Sequence, residues 1–160
     1  LALVMDPTDE DAMRRPPRGP TEPMLGRPEW FTIGLTAAVQ TAVTLGVFAW
    51  ALSARDYVEA RNLAFSVLVF GELFRAFASR SDRKVFWQVG ALGNLMLLLV
   101  VVISALVQIG IHHIPWAQTL FQIGDISMSD CALAVALGLI PVTVLELVKL
   151  ARAARERTSP

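Results

Sequence analysis

Residues 30–53 run for 24 positions without one charged side chain. At 1.5 Å per residue a helix of that length reaches about 36 Å, enough to cross a hydrocarbon core of about 30 Å with some tilt. A second charge-free run covers residues 86–110. In lipid every backbone N–H and C=O must be satisfied within the segment itself, so such runs are helices. Two further apolar stretches, residues 60–78 and 130–150, are less pure: Arg61, Glu72 and Arg75 lie in the first, Asp130, Pro141, Glu146 and Lys149 in the second. Proline is tolerated in a membrane helix because neighbours satisfy the freed carbonyl. The pattern predicts an all-α fold, an integral membrane bundle of four transmembrane helices.

Charge placement supports this. Charged residues make up 18% of the chain, against about 25% in soluble domains. They cluster between the apolar runs. Residues 1–29 are polar after the first few and rich in proline: Pro7, Pro16, Pro17, Pro20, Pro23 and Pro28. Each proline removes a donor and fixes φ, so a loop is expected. Residues 1–5 (LALVM) are too short to span and read as the tail of a preceding membrane helix, which points to a fragment. No basic n-region with a short apolar core and a cleavage site is present, so no signal peptide is read. Residues 111–129 are expected to form an outer loop, and residues 151–160 a cytoplasmic tail.

Eleven of the 14 basic residues fall on one side of this four-span topology: Arg14, Arg15, Arg18 and Arg27, then Arg80, Arg83 and Lys84, then Lys149, Arg152, Arg155 and Arg157. The positive-inside rule assigns that side, and both termini, to the cytoplasm. Trp30, Phe31, Phe86 and Trp87 mark the cytoplasmic interface; Phe48, Trp50 and Trp116 mark the other. The formal net charge is zero, so no nucleic-acid partner is indicated. The partner is the lipid bilayer. The single cysteine, Cys131, excludes an intrachain disulfide and a multi-cysteine zinc site; it reads as packing.

Glu72 is the residue most open to a function. Counted from residue 60 it lies about 18 Å along a helix, near the bilayer midplane. A carboxylate at that depth is a candidate cation or proton site by default. The other reading is an i,i+3 ion pair in which Glu72 and Arg75 neutralise each other. In the first span Gly34, Ala38, Ala42 and Gly46 recur every fourth residue, a small-residue stripe that lets another helix approach closely. Asn94 reads as a hydrogen bond within the bundle. His112 and His113 read as interfacial residues, not metal ligands. Glu146 and Lys149 read as interfacial anchors, and the acidic run Asp6, Asp9, Glu10 and Asp11 as a solvated loop face. No Walker loop, GxGxxG or HExxH motif is present.

The stretch Asp11-Ala-Met-Arg-Arg-Pro-Pro-Arg18, preceded by LALVMDP, resembles the cytoplasmic loop between the sixth and seventh membrane helices of type II, calcium-type P-type ATPases. Ala60-Arg61-Asn62-Leu63-Ala64-Phe65 resembles the start of that family's eighth helix. Val69 to Phe77, then Ser79-Arg80-Ser81, resembles its continuation. Ile114-Pro115 through Leu120-Phe121 resembles the outer loop before the tenth helix, and Glu146-Leu147-Val148-Lys149 the end of that helix. Asn62 stands where Thr is usual, and Ala78 where Asn is common.

The resemblance implies that the four spans are the seventh to tenth helices of a ten-helix pump. It implies a supporting module that braces the ion-binding helices. Its partners would be the remaining membrane helices and the cytoplasmic domains. Glu72 matches a position that supplies a cation ligand in some calcium pumps. The parent pump would use ATP, Mg2+ and a transported cation. The chain alone lacks the phosphorylated aspartate motif and the nucleotide domain, so it is expected to bind no cofactor and to be inactive. The plasma membrane is the expected location. A free-standing four-helix scaffold or regulatory subunit is the alternative.

The topology makes a direct prediction. On intact cells, a membrane-impermeant thiol reagent should modify a cysteine introduced near His112. A cysteine near Arg83 should react only after permeabilisation. Labelling of the Arg83 side from outside would overturn the orientation.

Overall fold

The computed structural model describes residues 26–81, 85, 88 and 93–158, without the side chains of Pro28 and residues 155–158. The motif of residues 11–18, the acidic run, Arg83, Lys84, Phe86 and Trp87 lie outside the described residues. Within them the chain is all-helical: α1 (Arg27–Ala54), α2 (Tyr57–Ala78), α3 (Leu95–Gly110), α4 (Pro115–Phe121) and α5 (Met128–Thr158).

Local chemistry sets each boundary. α1 starts inside the stretch read as loop, because proline suits a first helical turn, where its missing N–H has no helical partner anyway. Glu29 then accepts a hydrogen bond from the Gly26 amide at 2.8 Å, closing the turn from within. α1 ends at an extended Arg55. Asp56 follows as the N-cap of α2, accepting from the Glu59 amide at 2.8 Å. The α1–α2 connection is thus two residues long, which makes the helices antiparallel neighbours.

The third apolar run differs from expectation. Its described helix begins at Leu95, and Asn94 is its N-cap, with φ −135° and ψ 89°. The Asn94 carboxamide accepts from the Leu97 amide at 2.9 Å. Asparagine competes for backbone donors this way, which favours caps over helix interiors. Asn94 therefore sits at the head of the helix, not inside a span. The outer loop also gains structure, since α4 lies within it, bent 89° from α3. The last helix continues through residue 158 instead of ending at 150. Pro141 is accommodated inside it, fully buried.

On length and composition α1 and α5 can cross a membrane, and a third span results if α3 and α4 form one broken segment. α2 has 22 residues, about 33 Å, but carries Glu59, Arg61, Glu72 and Arg75. Those charges set it apart from the two apolar candidates.

α2 is the central helix. It packs most extensively on α5, then on α1, and also on α3. Leu63, Val67 and Phe70, at helical spacing, form its buried stripe with Val47 and Ala51 of α1 and Ala134 of α5. The tightest approach is at two glycines. A Cβ on Gly138 would lie 2.9 Å from the Gly71 amide nitrogen and 2.9 Å from Phe70 Cβ. Only a missing side chain lets α5 ride on the backbone of α2 there. The α1 stripe behaves differently. Gly34, Ala38, Ala42 and Gly46 are exposed, and nothing lies within 4 Å of a Cβ added at Gly34 or Gly46.

The contrast is testable on the chain in detergent micelles. Gly138→Ala should cost about 1–3 kcal/mol through overpacking, read as a lower thermal midpoint. Gly46→Ala should leave the midpoint unchanged or raise it, because alanine is the better helix former.

Candidate cation site and its cavity

α1, α2 and α5 line an open cleft of about 630 Å³ near the end of the bundle that holds Lys149. Polar groups from all three helices line it: Thr32 and Thr36 from α1, Glu72 and Arg75 from α2, Lys149 and Arg152 from α5. The α1 contribution follows from spacing. Thr32, Thr36 and Gln40 recur at i,i+4 along α1, so they share one face. Thr36 hydroxyl donates to the Thr32 carbonyl at 2.8 Å. Gln40 is buried, donates to Thr44 at 3.3 Å, and fills the space left by the absent side chain of Gly71.

Glu72 stands beside that glycine. Its carboxylate accepts a hydrogen bond from Arg75, one turn along α2. The two side chains keep 45% and 42% of their surface exposed. An exposed i,i+3 pair contributes only about 0.5 kcal/mol, little enough for a competing cation to displace Arg75. Among the described residues, no three His, Cys, Asp or Glu side chains converge to hold a metal ion. Glu72 is the carboxylate of the cavity that stands nearest Gly71, with the hydroxyls of Thr32 and Thr36 in the same lining.

Lys149 and Glu146 are not the exposed anchors their positions suggested. Their side chains are 5% and 8% exposed and paired at 2.9 Å. Lys149 also donates to the Ala78 carbonyl at 2.6 Å, capping the last turn of α2 from a different helix, where a cation is favoured by the helix dipole. Arg152 donates to Thr32. This end of all three helices is thereby tied together.

The opposite end has its own tie. Arg55 forms a bidentate pair with Asp130, at 2.7 and 2.8 Å, and lies 5.9 Å over the Trp50 ring. The hydrogen bonds that Arg55 donates to the Asp130 carboxylate raise its pKa above the ordinary value, so the guanidinium stays charged. Arg61 donates to the Gln122 carbonyl. His112, read as interfacial, is buried with Nδ1 2.9 Å from the Gly124 carbonyl. His113 meets Asp125 at 2.9 Å. Cys131 is buried.

Sequence reasoning singled out Glu72 and Arg75 but missed Thr36, Gln40 and the buried role of Lys149. The i,i+4 polar spacing in α1 was the available signal for the first two. The cross-helix bond from Lys149 to Ala78 had none.

Residues 1–151 match the family model "Cation transporting ATPase, C-terminus". The chain belongs to that family. It is 33% identical over 151 residues to the mouse "Calcium-transporting ATPase type 2C member 2", covering 93% of this chain and 16% of that protein. It is 29% identical over 151 residues to "Calcium-transporting ATPase 1" of Saccharomyces cerevisiae, covering 93% and 16%. It is 27% identical over 168 residues to "Calcium-transporting ATPase 1" of Bacillus cereus, covering 95% and 19%. The chain therefore spans under a fifth of the length of these relatives.

Lys149 should matter more to stability than Glu72. Lys149→Met deprives Glu146 of a buried partner and uncaps α2, and should cost about 3 kcal/mol. Glu72→Gln, at a half-exposed pair, should cost under about 1 kcal/mol. Thermal unfolding of the two variants checks the order.

Proposed function

We propose that the chain is the supporting half of the membrane domain of an ATP-driven cation pump, with calcium as the transported class. The match of residues 1–151 to the cation-pump C-terminus carries this reading, and the names of the relatives, calcium-transporting ATPases from mouse, yeast and a bacterium, favour calcium. Four crossings by α1, α2, α3 and α5 put both ends in the cytoplasm, at the plasma membrane. The gathering of Arg80, Lys149 and Arg152 at one end of the bundle supports that orientation.

In this reading the exposed stripe of Gly34, Ala38, Ala42 and Gly46 braces the mobile helices that supply most cation ligands. Glu72 adds one carboxylate, or relays a proton, at the inner end of the cytoplasmic cavity. A cation approaching Glu72 displaces Arg75, whose long side chain swings toward the aqueous end. ATP and Mg2+ engage the cytoplasmic domains of the parent pump, and this chain contributes neither phosphoacceptor nor nucleotide site.

Substitutions in the intact pump separate the two roles of Glu72. Glu72→Ala should weaken apparent ion affinity about tenfold, or about 1.4 kcal/mol. Glu72→Gln, which keeps an oxygen, should weaken it less, at unchanged protein level. If Glu72 serves only to neutralise Arg75, the double change to Ala at both positions restores normal affinity. We expect no recovery.

A further inference from the structure

α4 turns 89° away from α3 and presents an apolar, uncharged face. Trp116 and Leu120 are each 66% exposed and Phe121 is 56% exposed. No charged or histidine side chain occurs from Ile114 to Gly124. The other face is committed to the protein. Ala117 is buried, and the Gln118 side chain donates to the His112 carbonyl. The bonds from His112 to Gly124 and from Arg61 to Gln122 then hold the whole turn against the start of α2. This orientation is built into the fold.

We propose that α4 is not the second half of a broken span but an in-plane helix. It lies in the interfacial zone of the leaflet at the Arg55 end, with Trp116, Leu120 and Phe121 among lipid headgroups and upper acyl chains. Three observations favour lipid as the occupant. First, α4 lies perpendicular to the end of α3, whose Leu99, Ile103 and Leu106 are likewise apolar and exposed. Second, tryptophan and phenylalanine are the residues of membrane–water interfaces, and Trp50 and Tyr57, at the same end, are also exposed, at 53% and 60%. Third, α4 has only seven residues and lies at 89° to α3, so it adds no depth to that segment. The absence of cations on α4 means that binding relies on apolar burial, not on anionic lipid.

Spin labels on single cysteines in the full-length protein test the idea. The protein is reconstituted in phosphatidylcholine vesicles with other reactive cysteines replaced. A label at Leu120→Cys, or at Phe121→Cys as a second site, should lie about 5–10 Å below the headgroups, from the ratio of oxygen to aqueous nickel accessibility. A label at Ile103→Cys should lie deeper. Adding anionic lipid should not change the α4 depth. Labels on α4 as deep as Ile103 would mean a broken span. Full nickel access would mean that α4 faces water, and exclusion of both reagents would mean that it faces protein; each result overturns the proposal. The proposal rests on the membrane reading above, and the Ile103 label separates the two. If Ile103 also meets nickel freely, the membrane reading itself fails.

Discussion

Gly138 of α5 rests on the backbone of α2 at Gly71, and the rest of the bundle is arranged around that crossing. In a bilayer no hydrophobic drive brings helices together, because lipid is as apolar as leucine. Association depends on close packing and on polar ties. The glycine crossing supplies the first. The second comes from pairs at both ends, Arg55 with Asp130 and Lys149 with Glu146 and the Ala78 carbonyl. A crossing with a tie at each end fixes the angle between two helices as well as their separation.

This arrangement also explains why one face of the bundle can stay open. α2 and α5 hold each other, and α1 is held to both by Ala51, Val47 and the bond from Arg152 to Thr32. The opposite face of α1 is then left uncovered, with its row of small residues outward. α1, α2 and α5 thus form one packed unit with the small-residue stripe of α1 outward. The cavity beside Glu72 belongs to the same design. On the α1 side its lining includes Thr32, Thr36 and Ala37, small side chains that leave the space open.

Family membership through residues 1–151 and the all-helical fold agree with what the apolar runs and ordered motifs implied. Other expectations did not survive contact with neighbouring helices. Glu146 and Lys149 read as surface anchors because i,i+3 charge pairs near a span's end normally snorkel to water. They are buried because the C-terminus of α2 lies close enough to take a hydrogen bond from the ammonium. His112 reads as interfacial from its place in the outer loop with Pro115 and Trp116, yet the return of the chain at Gly124 encloses it.

The linear sequence determined the four long helices and their order, because hydrophobic run length, proline position and N-cap chemistry act within a few residues. Gly26, Asp56 and Asn94 begin helices for local reasons, visible in the chain itself. Glu72 and Arg75 pair for the same reason, since one helical turn brings them together. Only the tertiary structure decided which small residues form a helix crossing. Gly34 and Gly46 carry the more regular pattern, but Gly71 and Gly138 make the contact, because a close approach needs matching gaps on two helices far apart in sequence. The tertiary structure likewise decided that α4 turns 89° away from α3, since that turn is held by bonds from His112 to Gly124 and from Arg61 to Gln122, and the Arg61 bond reaches across 61 residues of chain.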